Sequence, residues 1–544
     1  MTKKQFSVLT LLGIIIMALL ILLSRRLWFR LDLTSGKAFT LSPVSRKLHN
    51  EIEENVRITY FLSDKLMSLD PTAGEISDIL REYEARSRGK IQVAIKDPGK
   101  NPSEAERFNL TPQQLQNVGQ DEASFSVVYS GIVIEYLNNY EVLQWVFSLD
   151  TLEYDITSRI RSLISGKHRE LGIIAAEGQK TWNEYYGFLN QTFLASGYSV
   201  LQLRPGEEIP DTLPVLFVMG GAEELDEYSL YRIDRYIQLG GRVFFAIESV
   251  EVDFFNTWEG RIKNDKGLLA MVSYYGITQE QGLVLDRSSI PIPFRDPVTQ
   301  QLKPIRYPPW IGVKGNQGNP NHPLTSKFTG ADLFWACPLL FTLPESGNVR
   351  GDILFTSSPE SWLMVDNFIL RPEMMPSTNG AGETMGEKIL AASLEGVFPS
   401  WFQNMEKPRR TNYQSMDPMY DLFEESEDDL PSMPLEPKES RIIVVGDSDM
   451  GGPLIQYSLV QQGANLNFLL QAADWLGMDD DIVGIRNRQG GMGRLDRITD
   501  EAKRFGMISF SRILNIFIVP LCICLFGILR IIKRRHKKEH NNAL

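Results

Sequence analysis

Acidic and small polar residues follow one predicted strand near the end of the chain. Asp447, Ser448 and Asp449 follow the apolar run 441–445 after a single glycine, Gly446. Open α/β sheets usually bind their ligands at the carboxyl ends of their strands. Two carboxylates there could hold a cation or sugar hydroxyls, or they could cap the next turn by accepting backbone N–H groups. The sequence leaves both roles open.

Two further strand ends carry candidate partners for this group. One pair of residues follows the buried run 171–176, and another closes the run 215–219. Because neighbouring parallel strands end at one edge of their sheet, we expect all of these residues to share a crevice. The predicted ligand site consists of Asp447, Ser448, Asp449, Glu177, Gly178, Gly220 and Gly221.

No residue fits the role of a catalytic nucleophile. An amidotransferase-like fold would place a cysteine on a sharp strand-to-helix turn, with a histidine and a carboxylate nearby. The corresponding turn, 246–249, contains no cysteine. We interpret Cys337, which lies outside that turn, as a buried structural thiol. His322 is interpreted as a turn residue because no nucleophile accompanies it. We therefore predict no catalytic residues.

The chain also lacks the spacings that bind metals and nucleotides. The body has no histidine pair at metal-ligand spacing, and no CxxC, HExxH or Walker-type loop occurs. We predict neither a metal nor a cofactor, and an ATPase is excluded. An aromatic group could stack on a sugar, although packing beneath a long insertion is its more common role. Its members are Tyr307, Trp310, Phe334 and Trp335.

The elements that must position these residues follow an α/β pattern. Apolar runs alternate with amphipathic helical patterns, and glycines stand at the turns; the runs are 171–176, 198–203, 215–219 and 242–247, and the helical patterns are 185–196 and 229–239. This alternation is typical of a parallel, doubly wound sheet. We predict a flavodoxin-like or amidotransferase-like domain in two parts, residues 169–290 and 441–490.

A smaller α/β domain is predicted before it, over residues 31–168. Ser42 and Pro43 have the types of a helix N-cap and first helical residue, for a helix to about Glu53. The order of strands and helices predicts a thioredoxin-like shape, without a redox cysteine. The predicted strands are 56–62, 90–96, 125–133 and 140–147, and the later helices are 76–87 and 151–165.

Periodicity weakens between the two parts of the larger domain. Residues 291–440 are predicted to form an insertion in which only 353–357 has a strand pattern. Residues 374–387 are expected to be a mobile loop. The acidic, proline-containing stretch 417–439 is interpreted as a solvated linker. Docking to a basic partner is the alternative.

Two apolar runs predict membrane anchors at both ends. Residues 513–532 are long enough to span a bilayer, and a basic tail at 533–538 follows them. Residues 6–23 form a second span, and no small-residue cleavage site comes after it. We expect a signal anchor at 1–30, a second span at 507–533 and a cytoplasmic tail at 534–544. The basic tail orients the chain in a bacterial inner membrane, with both termini cytoplasmic and the body extracytoplasmic.

Composition limits the remaining function classes. The 544 residues are 43% hydrophobic and 23% charged, which is ordinary for a globular chain with two or three domains. The formal charge is −12, and basic residues concentrate at the two termini, so the body is strongly acidic. Such a body repels nucleic acid. Cys337 is the one cysteine outside the carboxyl-terminal span, so the body forms no internal disulfide.

Several short segments resemble one protein family. The chain is similar to the auxiliary components of ABC transporters typified by the gliding-motility protein GldG. The matching segments are 32–34 with 40–42, 306–310, 319–323, 357–362, 445–449, and 465–468 through 474–476 to 480–482. Their order and spacing over roughly residues 28–490 carry the resemblance.

The resemblance implies a fold and a set of partners. The larger domain would be of the GIFT type, which is related in shape to class I glutamine amidotransferases. The partners would be a separate ABC permease and an ABC ATPase; membrane lipid is a further partner, which the two predicted spans imply. We therefore expect a non-enzymatic extracytoplasmic subunit that captures substrate or transmits motion to the envelope. The alternatives are a cell-envelope hydrolase or amidase that uses the crevice, and a module that binds a glycan.

Overall fold

The computed structural model describes most of the body of the chain. The described residues are 40–118, 123–147, 149, 151–166, 169–178, 180–254, 256–295, 300–326, 328–344, 348–375, 385–409, 430–457, 463–477 and 485. Among these residues, no helix is both long and apolar enough to cross a bilayer. Both predicted spans and most of the predicted loop and acidic linker lie outside them. The chain divides into compact units at 1–490 and 491–544, and the description below concerns the first.

The amino-terminal part of the body contains a four-stranded sheet. Its elements are α1 (Pro43–Lys47), β1 (Val56–Leu62), α2 (Asp64–Leu69), α3 (Pro71–Arg86), β2 (Ile91–Lys96), α4 (Pro102–Glu106), β3 (Gln113–Val118), β4 (Ala123–Val128), β5 (Ser130–Tyr136), β6 (Asn139–Leu143) and α5 (Leu152–Ser165). The strand order is β2-β1-β5-β6. β1 is parallel to β2 and antiparallel to β5, and β3 and β4 form a separate hairpin.

Helix α1 begins as the sequence predicts but ends earlier. The Ser42 side chain accepts a hydrogen bond from the backbone N–H of Ser45 at 3.1 Å, and Pro43 occupies the first turn. The α-helix ends at Lys47 and continues as a short 3₁₀ turn rather than reaching Glu53. The single strand predicted over 125–133 is divided between β4 and β5. The break falls at Tyr129, whose N–H donates to the Ser63 hydroxyl at 2.9 Å instead of to a strand.

The rest of the body is built around one large sheet. Its elements are β7 (Glu170–Ala176), α6 (Gly187–Ala195), β8 (Ser199–Gln202), β9 (Val215–Gly220), α7 (Glu227–Gln238), β10 (Arg242–Ala246), β11 (Val250–Asp253), β12 (Glu259–Ile262), α8 (Leu268–Tyr275), β13 (Ile277–Gln279), β14 (Leu283–Asp286), β15 (Ser289–Arg295), β16 (Leu302–Lys314), β17 (Gly330–Phe334), β18 (Leu339–Phe341), β19 (Val349–Thr356), β20 (Ser361–Met364), β21 (Ile389–Gly396), β22 (Ser440–Val445) and α9 (Ala464–Gly477). The main path through this sheet is β13-β18-β21-β22-β10-β9-β7-β8, and β19 also pairs with β21.

Five adjacent strands of this sheet are parallel. β8, β7, β9, β10 and β22 run in one direction, whereas β21 is antiparallel to β22. Side chains that alternate along each strand enter two separate cores. Phe217 and Phe244 stack at 4.4 Å beneath α6 and α9, and Val218 and Phe245 pack beneath α7 and α8. The prediction of an α/β body is confirmed.

The segment 291–440 is more regular than the sequence predicts. It supplies β18, β19 and β21 to the main sheet, and β21 pairs directly with the parallel strand β22. Nearly all of β21 is buried, so it lacks the alternation of apolar and polar residues that marks a half-exposed strand. Its small residues Ala391 and Ala392 face different cores. The strand can therefore be recognised only in the folded structure, from its pairing with neighbouring strands.

Candidate functional site

The ends of the parallel strands bring the predicted crevice residues together at one edge of the sheet. Glu177 directly follows β7, and the Gly221 N–H donates to Glu177 Oε2 at 3.2 Å. Gly220 has a positive φ of 71°, and a Cβ there would lie 2.5 Å from the Glu177 carboxylate. Glycine at this position therefore gives the carboxylate its space. Gly178 is exposed at the rim, where its N–H donates to Glu224 Oε1 at 3.1 Å.

Two residues that were not among the predicted ligands occupy the centre of this edge. Glu248 follows β10, and Lys263 follows β12 of the hairpin β11–β12. The Lys263 ammonium donates to Glu177 Oε1 and to Glu248 Oε1, the latter at 2.9 Å. The side chains of Lys263 and the two glutamates are 1%, 7% and 7% exposed, respectively. The crevice is therefore occupied by a cation that belongs to the chain.

The segment after β22 completes the cluster. The N–H and hydroxyl of Ser448 both donate to the Glu248 carboxylate at 2.7 Å. Asp447 Oδ1 accepts from the Asp449 N–H, and Oδ2 accepts from the Phe334 N–H, each at 2.7 Å. Asp447 thus connects the end of β22 to β17 by accepting hydrogen bonds from backbone N–H groups. This is the turn-capping role that the sequence left open as one of two.

Asp449 has a cationic partner of its own. Its Oδ1 lies 2.7 Å from the Lys180 ammonium and accepts from the Tyr185 hydroxyl, also at 2.7 Å. Lys180 also donates to Ser448 Oγ at 3.3 Å and lies 3.6 Å from Glu248 Oε1. The Lys180 side chain is 22% exposed and that of Asp449 is 13% exposed, so this end of the cluster is partly accessible to solvent. We call Glu177, Lys180, Glu248, Lys263, Ser448 and Asp449 the charge cluster.

Burial and the lysines act in opposite directions on the carboxyl groups at this edge of the sheet. Burial raises the pKa of Glu248, but Lys263 and Lys180 outweigh it and lower the pKa to about 2. Burial and the negative charge of Glu248 raise the pKa of Glu177 to about 7, although Lys263 opposes them. Burial alone would lower the pKa of Lys180, whereas Asp449 and Glu248 hold it well above its ordinary value. Burial and Asp449 raise the pKa of Asp447 well above its usual range.

This arrangement is poorly suited to nucleophilic catalysis. Ser448 lies within hydrogen-bond distance of a lysine and a glutamate, as a serine nucleophile would need. Asp449 and Glu248 raise the pKa of Lys180 and so favour its protonated form, which has no lone pair to accept the serine proton. Ser448 itself is fully buried. Among the described residues, no group of three or more His, Cys, Asp and Glu side chains could hold a metal ion. The charge cluster can therefore stabilise the fold through its ion pairs and carry charge at this edge of the sheet.

The other residues considered in the sequence have structural surroundings. Cys337 is buried, as predicted, and burial raises the pKa of its thiol to about 11. Its backbone N–H donates to Gly446 O at 2.8 Å. His322 lies in a turn, where its Nδ1 accepts from the Leu324 N–H at 3.2 Å and its ring packs against Trp475.

The aromatic group is part of a core. Trp310 packs edge-to-face on Tyr307, Phe334 and Trp335 at centroid distances of 5.1 to 5.7 Å. All four residues are at most 4% exposed. The Tyr307 hydroxyl donates to Leu370 O at 2.6 Å. Packing is therefore the role that the structure shows for this group.

Comparison with known families identifies the class of protein. The sequence profile of a family described as an ABC-type uncharacterized transport system matches residues 168–472, which is more than half of the chain. The chain belongs to this family. Membership makes the protein an auxiliary component of an ABC-type transport system, associated with a membrane and with ABC transporter components. A second profile, for a domain of unknown function, matches residues 35–135.

The individual proteins and solved structures that match the chain share little sequence identity with it. An uncharacterized protein of Borreliella burgdorferi is 26% identical over 520 residues, which are 93% of this chain and 94% of that protein. The solved mmIFT52 N-terminal domain is 14% identical, with a TM-score of 0.32, and the match covers 57% of this chain and 98% of that one. A ThuA-like protein from Parabacteroides merdae is 15% identical, with a TM-score of 0.19, over 37% of this chain and 76% of that one.

The two lysines of the charge cluster are not among the residues predicted from the sequence. Lys263 lies outside every predicted element, and Lys180 lies in the loop that follows Glu177. A usable signal was present at Glu248, which comes directly after an apolar run, as Glu177 does; Asp447 comes one residue after the end of its run. Three buried strand ends that each carry a carboxylate require counter-charges, because buried carboxylates are rarely left unpaired.

Proposed function

We propose that this auxiliary component is a non-enzymatic, extracytoplasmic subunit of a bacterial ABC transporter that works with a separate permease and ATPase. The transport class rests on the family match over residues 168–472. The non-enzymatic role rests on one observation. The strand-end crevice, where an amidotransferase-like enzyme would hold its nucleophile, contains Glu248 paired with the chain's own Lys263.

The finer assignments belong to the same proposal. The amino-terminal sheet order β2-β1-β5-β6 supports a thioredoxin-like domain, and the five parallel strands support a GldG-like, GIFT-type domain. The apolar runs at 6–23 and 513–532 support anchoring by two spans in the inner membrane, with both termini cytoplasmic.

The carboxyl end of helix α9 is attached to the main sheet. This helix is the last regular helix among the described residues, and the chain continues from it toward the proposed carboxyl-terminal span. Arg242 and Arg441, at the starts of β10 and β22, donate to the carbonyl groups of Leu476 and Trp475 in its last turn. Arginines at this end satisfy free carbonyls and oppose the negative end of the helix dipole. These two arginines fix the carboxyl end of α9 to the starts of two strands of the main sheet.

A mild-detergent pull-down of the full chain from native membranes tests the proposal. We expect an ABC ATPase and a multi-span permease to co-purify in fixed ratio, as identified by mass spectrometry. A variant in which the apolar run 513–532 is replaced by an unrelated membrane span should remain in the membrane and lose both partners. Recovery of the full chain alone, in monodisperse form, would contradict the proposal.

A hydrolase or amidase is the second candidate, and the proximity of Ser448 to Lys180 is the observation that favours it. It requires that Ser448→Ala abolish turnover of cell-wall fragments while the complex still assembles. The glycan-binding alternative would use the partly exposed end of the crevice at Lys180, Tyr185 and Asp449. Calorimetric titration with cell-wall fragments separates it, because Asp449→Asn should then weaken binding while Ser448→Ala should not.

A further inference from the structure

The edge strand β8 leaves one side of the main sheet open. It pairs in parallel with β7, and no other strand among the described residues pairs with it. The N–H groups of Ser199 and Leu203 donate to carbonyl groups of the segment 169–173, each at 2.8 Å. Residues that bond to one neighbour alternate along a strand with residues that face the other way. Val200 and Gln202 therefore direct their N–H and C=O groups away from β7, and neither N–H has a partner among the described residues.

This edge lacks the features that usually prevent strands of different molecules from pairing. Exposed edges are commonly protected by charged side chains, by proline or by a β-bulge. Residues 185–203, which include α6 and β8, contain no charged residue and no proline, and the pairing of β8 with β7 has no bulge. Phe188, Leu194 and Leu201 are 55%, 54% and 41% exposed. We call α6 and the outer side of β8 the open edge.

The backbone of the open edge is complementary to a second copy of itself. Val200 and Gln202 lie symmetrically about Leu201, and each presents one N–H and one C=O. In an antiparallel pair of two β8 strands, Val200 of each copy would exchange two hydrogen bonds with Gln202 of the other copy. A two-fold axis would then pass between the two Leu201 residues, whose side chains would pack against each other.

The absence of charge is what such a symmetric contact requires. A two-fold contact brings the same surface of both molecules together, so a charged residue near the axis would meet its own copy. Like charges that lie directly opposite each other destabilise a strand pair. The body as a whole is strongly acidic, so two copies repel each other over most of their surface. An uncharged edge is a place where they can meet without that repulsion.

Helix α6 adds apolar area to this contact. It covers one face of β8, where Val200 packs against the core that contains Leu189 and Phe193. The two-fold axis is perpendicular to the sheet, so the α6 helices of both copies would lie on the same face. We propose that the chain forms a two-fold dimer through antiparallel pairing of β8, which joins two main sheets into one continuous sheet.

Size-exclusion chromatography with light scattering of the full chain in detergent tests this proposal. We expect the wild type to have the mass of two chains. Leu201→Lys would place two ammonium groups opposite each other at the axis, so it should raise the dissociation constant of the dimer at least about tenfold. Leu340→Lys is the matched control and should remain dimeric, because Leu340 is 47% exposed in β18, a strand that is paired on both sides.

Cysteine cross-linking in native membranes tests the register of the pair. The Cα atoms of the two Leu201 residues would be about 4.5 Å apart, within the range of a disulfide, whereas those of the two Gln202 residues would be about 7–8 Å apart, beyond it. The background carries Cys522→Ser and Cys524→Ser, and Cys337 is buried. Mild oxidation should link Leu201→Cys into a covalent dimer and leave Gln202→Cys uncross-linked.

Three results would overturn the proposal: a wild-type chain that stays monomeric, a dimer that Leu201→Lys leaves intact, or cross-linking of Gln202→Cys as readily as Leu201→Cys. Loss of the permease from the Leu201→Lys pull-down without a change of mass would assign the open edge to that partner and would overturn it as well. Neither measurement depends on the transporter assignment, so recovery of the full chain without an ATPase and a permease would leave the dimer standing.

Discussion

Replacing Lys263 by methionine should expose the energetic role of the charge cluster. Methionine keeps the unbranched shape of the side chain, one atom shorter, but removes the ammonium group, which leaves Glu177 and Glu248 buried beside each other. Loss of one partner of a buried ion pair costs about 3–5 kcal/mol, because the remaining charge is uncompensated. Glu248 keeps its two hydrogen bonds from Ser448, so the cost falls mainly on Glu177.

The loss should depend on pH in a defined direction. Without Lys263, the pKa values of both glutamates rise, so the folded state binds more protons than the unfolded state. Stability then falls as pH rises, by up to about 1.4 kcal/mol per pH unit for each proton. The deficit of Lys263→Met relative to wild type should therefore be largest at pH 8 and smallest near pH 5.

Urea denaturation of the full chain in detergent, followed by tryptophan fluorescence, measures this effect. Lys266→Met is the matched control, because Lys266 is exposed and lies three residues away. Adding Glu177→Gln to Lys263→Met should restore part of the lost stability by removing the uncompensated charge. The reasoning is refuted if Lys263→Met is as stable as Lys266→Met at both ends of the pH range.

Three further predictions concern single positions. Glu177 has a pKa raised from 4.5 to about 7, so its contribution to folding stability is fully present below pH 4.5 and is lost as pH rises through about 7. Glu177→Gln should therefore make the urea denaturation midpoint depend less on pH across that window. An unchanged slope of the midpoint against pH would contradict this. Gly446→Ala should cause loss of folded protein, because its Cβ would lie 2.0 Å from the Cys337 carbonyl oxygen. Gly74→Ala in α3 is the control: its Cβ meets no atom within 4 Å, and it should stabilise the protein by about 0.5–1 kcal/mol. Equal expression and melting temperatures of the two variants would contradict the close packing at Gly446. Cys337, with a buried thiol of pKa about 11, should resist iodoacetamide at pH 8 until urea unfolds the chain, and site-resolved mass spectrometry showing rapid native labelling would disprove its burial.

Local pattern was sufficient for much of the main sheet. The runs that became β7, β9, β10 and β22 are continuous apolar segments bounded by glycine or acidic residues, which is the pattern of a strand buried on both faces. Because parallel neighbours end at one edge, the convergence of Glu177, Gly220 and Asp447 also followed from the sequence. The strand β21 could not be predicted from the sequence, because its small residues and its glutamate show no clear hydrophobic periodicity.

The sequence by itself determined the α/β class of the body, the acidic residues at its strand ends and the resemblance that leads to a transport system. Only the tertiary structure decided what those acidic residues contact. Lys263 is 86 residues from Glu177 along the chain, and Ser448 is 200 residues from Glu248. Periodicity reports which face of an element is buried, but the counter-charge of a buried carboxylate is chosen by packing between distant segments. The crevice is therefore predictable from the sequence, whereas its occupation by the chain's own lysine is a property of the folded molecule.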